Sequence, residues 1–188
     1  MIKVLNPPAE EPVTLAEAKQ FLKVDDPIDD GLILSLITAS RMYFEAQTNI
    51  RIITQTMVDE RETFPDGYYY LEGPVVSIDL IEYIDENGNW QEWDLDEVQS
   101  DLISNPARFY PADTFSYPSV LEGLGSVSVT YTAGYGAASA VPVIIKQGIK
   151  MLTAHWFAQR ETSADSTLSE VPYACDAIIK MFSRGIQM

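Results

Sequence analysis

One histidine, one cysteine and 28 acidic residues are the reactive groups that stand out in this 188-residue chain. His155 has the chemistry of a general acid–base, and a carboxylate or serine brought beside it would complete a small hydrolytic site. Two features argue for a structural role instead. The nucleophile-elbow pattern G-x-S-x-G is missing, and His155 stands beside Trp156 in an apolar run of helical period. A metal pair needs a second histidine, which the sequence lacks. Cys175 is the lone thiol, which excludes an internal disulfide and a zinc site built on several cysteines. Within an amphipathic run, packing is the ordinary role of such a thiol.

The acids form adjacent pairs: Asp25/Asp26, Asp29/Asp30 and Asp59/Glu60. Adjacent residues on a strand point to opposite faces, which spoils a shared site. The stretch "DDPIDDG" lacks the D-x-D-x-D-G-x₅-E ligand spacing of a calcium loop, and helix capping accounts for its carboxylates. Neither a Walker loop nor G-x-G-x-x-G is present. The glycines of "TAGYG" (132–136) invite a phosphate-loop reading. A phosphate loop needs a helix opening directly on the glycines, and here "AASAVP" intervenes. The simpler expectation is that Gly134 or Gly136 takes a positive φ to turn the chain, with Tyr135 covering a junction. The reading therefore assigns no catalytic, cofactor-binding or metal-ligating residue.

The elements that position these groups change period twice. "TLAEAKQFL" opens with Thr14 at the N-cap and Glu17 at N3, a capping box, with Val13 placed to staple onto Ala18. Leu15, Ala18 and Leu22 share a face. A second helix starts with Asp26 as N-cap and Pro27 at N1, with Asp29 and Asp30 in its first turn, where the helix dipole favours negative charge. Ile33, Leu36, Ile37, Ser40, Tyr43 and Phe44 carry it to about Thr48.

Residues 51–64 are β-branched and alternating, so a strand is expected there. Further strands are expected in "YYYLE", "VVSIDLIEYID", "WQEWDL", "ARFYPA" and "SVSVTYTAG", with Asn87-Gly88 as a hairpin turn. Helix returns at 141–161 with Pro142 at N1. Its stripe is Val141, Ile144, Ile145, Gly148, Ile149, Leu152 and Trp156. A polar loop, "ETSADSTLSE", precedes a last helix expected to be capped by Ser169. The fold class is α+β: a mainly α-helical domain formed by both chain ends (1–49 and 137–188) with an inserted small antiparallel β-subdomain (50–136). Leu36, Ile37, Ile145, Ile149, Leu152 and Trp156 are expected to be buried together.

Composition bounds the rest. Apolar residues make up 46%, enough to bury a core. The formal net charge of −16 excludes a global basic field for nucleic acid. No stretch approaches the roughly 20 apolar residues that span a bilayer, and "MIKVLNPPAEEP" lacks the apolar run of a signal peptide. A soluble protein made in a reducing cytoplasm is expected.

Four stretches carry a family resemblance. "TLAEAKQFLKVDDPIDDGLILSLITASRMYFEAQTN", "RIITQT", "VTYTAGYG" followed by "VPVIIKQGIKMLTAHWFAQRE", and "VPYACDAIIKMF" resemble, in order and spacing, the head–tail connector (adaptor, head-completion) family of tailed bacteriophages and prophages. Residues 65–126 match least. The resemblance implies a non-enzymatic virion protein, made in the host bacterial cytoplasm and placed in the neck. It implies a ring of copies, usually twelve-fold, beneath the portal protein. That ring extends the DNA channel and docks the next neck or tail (stopper) protein. DNA passes through the lumen without specific binding, and neither a cofactor nor a membrane is implied. An acidic lumen would suit such a conduit by repelling phosphates; the same charge also serves solubility. Two rival readings stand beside it: another neck or tail-joining protein (stopper or tail terminator), against which the helical termini argue, and a small hydrolase using His155.

Overall fold

The computed structural model describes residues 1–113, 115–159 and 173–183. Among them are four helices: α1 (Leu15–Leu22), α2 (Asp30–Thr48), α3 (Val143–Ala158) and α4 (Tyr173–Phe182). Eight strands accompany them: β1 (Ile2–Asn6), β2 (Gln55–Arg61), β3 (Tyr69–Leu71), β4 (Val75–Ile84), β5 (Trp90–Glu92), β6 (Val98–Asp101), β7 (Ala107–Pro111) and β8 (Val127–Ala133). The class is α+β. The chain divides into two compact units, a sheet unit of Met1–Ala9 with Thr54–Tyr135 and a helical unit of Glu10–Ile53 with Gly136–Met188.

In the sheet unit the strands form one sheet in the order β1-β2-β8-β4-β5 and a second in the order β3-β7-β6. All pairings are antiparallel. Strict alternation makes β8 the centre: Val127, Val129, Tyr131 and Ala133 are all fully buried. Met57 of β2 and Ile78 of β4 lie opposite Tyr131 in the register. The two sheets share one apolar cluster, in which Met57, Ile81 and Tyr131 pack with Tyr69, Phe109 and Trp93.

In the helical unit, α1 begins as its capping box dictates. The Thr14 hydroxyl accepts from the Glu17 amide at 3.2 Å, and the Glu17 carboxylate accepts from the Thr14 amide at 2.8 Å. That backbone bond is the main reason the Glu17 carboxyl is held below its usual range. Val13 and Ala18 are both buried. Asp26 caps a single 3₁₀ turn, Pro27–Asp29, which leads into α2. The inner face of α2 buries Ile33, Ile37, Ser40 and Phe44, and that of α3 buries Ile145, Gly148, Ile149 and Leu152. The Ser40 and Thr153 hydroxyls bond at 3.1 Å across the two helices. Gly148 is required by close approach: a Cβ there would sit 2.6 Å from Cζ of Phe44.

Several expectations need correction. Residues 1–49 were expected in the helical part, but Met1–Ala9 belong with the sheets, because β1 pairs along β2 with Ile2 opposite Asp59. The insertion is not small, since the sheet unit is comparable in length to the helical one. The strand expected at 51–64 is only Gln55–Arg61; Ile52 and Ile53 are buried in the helical unit instead. The run "WQEWDL" is strand only over Trp90–Glu92, because Asp94 caps a 3₁₀ turn, Leu95–Glu97. β6 was not anticipated. Pro142 stands at the N-cap of α3 rather than at N1. Ile37, Ile145, Ile149 and Leu152 are buried, whereas Leu36 and Trp156 are half-buried. The loop 161–170 and the Ser169 cap lie outside the described residues.

Candidate assembly surfaces

The groups with chemical potential are spread over both units. His155 is half-buried in the last turn of α3, where its carbonyl accepts from the Gln159 amide at 3.2 Å. Cys175 is fully buried in α4; its thiol donates to the Gly148 carbonyl at 3.6 Å, and burial pushes its pKa up. That is a packed thiol. Of the acid pairs, Asp26 accepts from the Ile28 amide at 2.9 Å and Asp30 accepts from Lys19 at 2.5 Å. On β2 the neighbours point apart. Asp59 is buried and accepts from Arg61 at 2.9 Å, while Glu60 takes Lys3 at 2.6 Å. Among the described residues no group of three or more His, Cys, Asp or Glu side chains is placed to hold a metal ion.

The "TAGYG" segment turns the chain from the sheet unit to the helical unit. Gly134 has φ 131° and Gly136 φ 120°, both in the region that disfavours a side chain. The Gly134 amide is used by the Pro74 carbonyl at 2.8 Å. After Gly136 a 3₁₀ turn, Ala138–Ala140, precedes α3. A Cβ on Gly136 would also meet the Ala140 methyl at 3.2 Å. Gly136→Ala is expected to lower stability by about 1–3 kcal/mol and to leave nucleotide titrations as flat as those of the parent. Saturable nucleotide binding by the parent, abolished in the variant, would contradict this.

Charge is partitioned between the units. The sheet unit holds 16 of the 28 acidic residues and only three of the 12 basic ones (Lys3, Arg61 and Arg108). It therefore carries −13 of the chain's −16, and the helical unit carries −3.

Within the helical unit α2 is unusual. From Gly31 to its end its only charged residues are Arg41 and Glu45, and both are buried. Arg41 donates through Nε to Glu11 at 2.8 Å and through Nη1 to Glu45 at 2.8 Å. Glu11 also accepts from the Thr38 hydroxyl, and Glu45 from the Ile52 amide, both at 2.9 Å. Burial opposes the charge on Arg41, but the bonds and charges of Glu11 and Glu45 outweigh it and raise its pKa. On the outer side, Leu32, Ser35, Ala39, Met42 and Ala46 are exposed along one stripe. The sequence carried this signal, since "GLILSLITASRMYFEAQT" holds only two charges, but the inward direction of both is a tertiary fact.

An aromatic cleft of about 310 Å³ lies in the sheet unit, lined by Tyr68, Tyr110, Phe115 and Tyr117. Tyr68 and Tyr110 meet edge to face at 5.1 Å, and the Arg108 guanidinium stacks 4.7 Å over Tyr68. The Tyr117 hydroxyl donates to the Gly67 carbonyl at 2.8 Å, and burial pushes its pKa up to about 12.

This two-unit α+β fold is shared with chains of gene transfer agent (GTA) particles. It is similar to a chain of the neck of an empty GTA particle computed with C6 symmetry, with TM-score 0.79 and 21% identity, covering 97% of this chain and 94% of that one. A chain from the virion of a native gene transfer agent particle matches with TM-score 0.79 and 19% identity, over the same shares. A chain from the neck of the native GTA particle computed with C12 symmetry gives TM-score 0.75 and 19% identity, again over 97% and 94%. No curated protein matches the chain. At the level of sequence families the assignment is definite: the chain belongs to the head completion protein family, which it matches over residues 11–182. As a member it has a structural role as a head–tail connector component.

Proposed function

We propose that the protein is the adaptor of a particle neck, closing into a ring beneath the portal protein. There it extends the DNA channel and docks the next neck or tail protein, and it catalyses no reaction. The observation that carries this reading is the family match across residues 11–182. Likeness to neck chains over 97% of the sequence supports it, as does the charge partition. Carboxylates facing a lumen repel DNA phosphates, so DNA slides without sticking.

Like charges also oppose assembly. Salt screens them over about 8–10 Å, so added salt is expected to favour the ring over the monomer. Sedimentation across protein concentration and salt tests this. A species that remains monomeric everywhere, and also fails to bind a portal ring, would remove both the ring and the connector role.

A further inference from the structure

We propose that the outer face of α2 is the seam at which one copy of this chain meets the next in the ring; the inference rests on the ring reading above. The face is a stripe of Leu32, Ser35, Ala39, Met42 and Ala46, with Met42 58% exposed. At 1.5 Å per residue it runs about 21 Å. A helix whose outer side stays in water ordinarily carries charged residues there. Here the two charges beyond the first turn are turned inward and paired, and the outer side exposes none.

The occupant follows from charge. A partner surface rich in charge would lose hydration against this stripe and find no counter-charge. DNA would find no cation on it. The matching surface must itself be nearly uncharged. Between two copies, the sheet units at −13 each repel, while the helical units at −3 each do so far less. The helical unit of a second copy, which repels least and where apolar Val143, Tyr173 and Met181 are exposed, is thus the surface this stripe fits. A head-to-tail ring sets the stripe against a different patch of the neighbour, whereas stripe on stripe would close a dimer. The stripe offers roughly 200 Å² (about 21 Å by a helix diameter of about 10 Å), against about 800 Å² per partner in a stable pair. A single such contact is weak. Holding each copy from two sides in a closed ring compensates, which makes assembly steeply dependent on concentration.

The test places either sign of charge on the stripe. Met42→Glu, Met42→Arg and Ser35→Arg are compared with the parent by sedimentation, at concentrations and salt where the parent assembles. All three are expected to keep the parental melting temperature, because the positions are exposed. Each is expected to raise the half-assembly concentration by at least about tenfold, the consequence of burying an unpaired charge. Ile103→Glu, on a fully exposed site of the sheet unit, is expected to change it little. If the parent forms rings and the stripe variants form them equally well, the seam lies elsewhere. If the glutamate impairs assembly while the arginines promote it, long-range repulsion governs and the seam is again wrong. If the parent never assembles, alone or on a portal ring, the ring reading fails and the seam with it.

Discussion

Arg41→Met is expected to cost about 3–5 kcal/mol of folding stability, the scale for breaking a buried ion pair by removing one partner. The size follows from what is left behind. Arg41 reaches Glu11 through two nitrogens, at 2.8 and 3.3 Å, and Glu45 through a third at 2.8 Å. Glu45 is 5% exposed and stays buried when its partner is gone. Methionine replaces the volume of the side chain stem but none of the five donors of a guanidinium. Denaturant unfolding of parent and variant measures the loss. The double variant Arg41→Met/Glu45→Gln is expected to recover part of it, because a neutral amide is cheaper to bury than an unpaired carboxylate and still accepts from the Ile52 amide. A single variant within 1 kcal/mol of the parent would show the network to be solvated rather than closed. The network also bears on function. It holds the charges of α2 inward, so loosening it would put charge near the seam.

What could be read from the sequence was what is encoded locally. The Thr14–Glu17 capping box and the two glycines of "TAGYG" rest on short-range sterics and hydrogen bonds, and they stand as expected; Asp26 and Pro27, expected as N-cap and N1 of the second helix, instead open a 3₁₀ turn, and α2 itself begins at Asp30. β8 also stands as expected, its strict alternation forced by burial of one face against the apolar cluster. β1 and β6 escaped because their burial patterns show little of the alternation that marks a half-buried strand. Leu36 and Trp156 were misjudged because a helical stripe marks a face, while the depth of burial depends on what packs there. Tyr43 meets Trp156 edge to face at 5.9 Å, at the rim of that contact. The family resemblance came from the order of elements. The assembly surfaces were harder. The charge partition has meaning only once the unit boundaries are known, and the inward turn of Arg41 needs Glu11, thirty residues away in sequence.

Phe109→Ala is expected to cost about 3–5 kcal/mol, the scale for emptying a buried aromatic site. Phe109 is fully buried, stacked on Tyr69 at 4.7 Å and tilted against Trp93 at 6.5 Å. Tyr69 and Phe109 are opposed across β3 and β7, so the loss falls on the second sheet directly. It also reaches the first sheet, because Tyr131 and Met57 share the cluster. The alanine would leave a void bordered by rigid rings, which collapse poorly into it, so the upper part of the range is favoured. The neighbouring position separates burial from strand propensity. Tyr70 is the middle residue of β3, 39% exposed, with its side chain on the opposite face. Its carbonyl bond from Arg61 at 2.8 Å belongs to the backbone and survives substitution. Tyr70→Ala is therefore expected to cost less than about 1 kcal/mol. Urea unfolding followed by tryptophan fluorescence, with Trp93 inside the cluster, reads both variants. Equal losses at the two positions would mean that the alternation of β3, and with it the shared core of the two sheets, is misplaced.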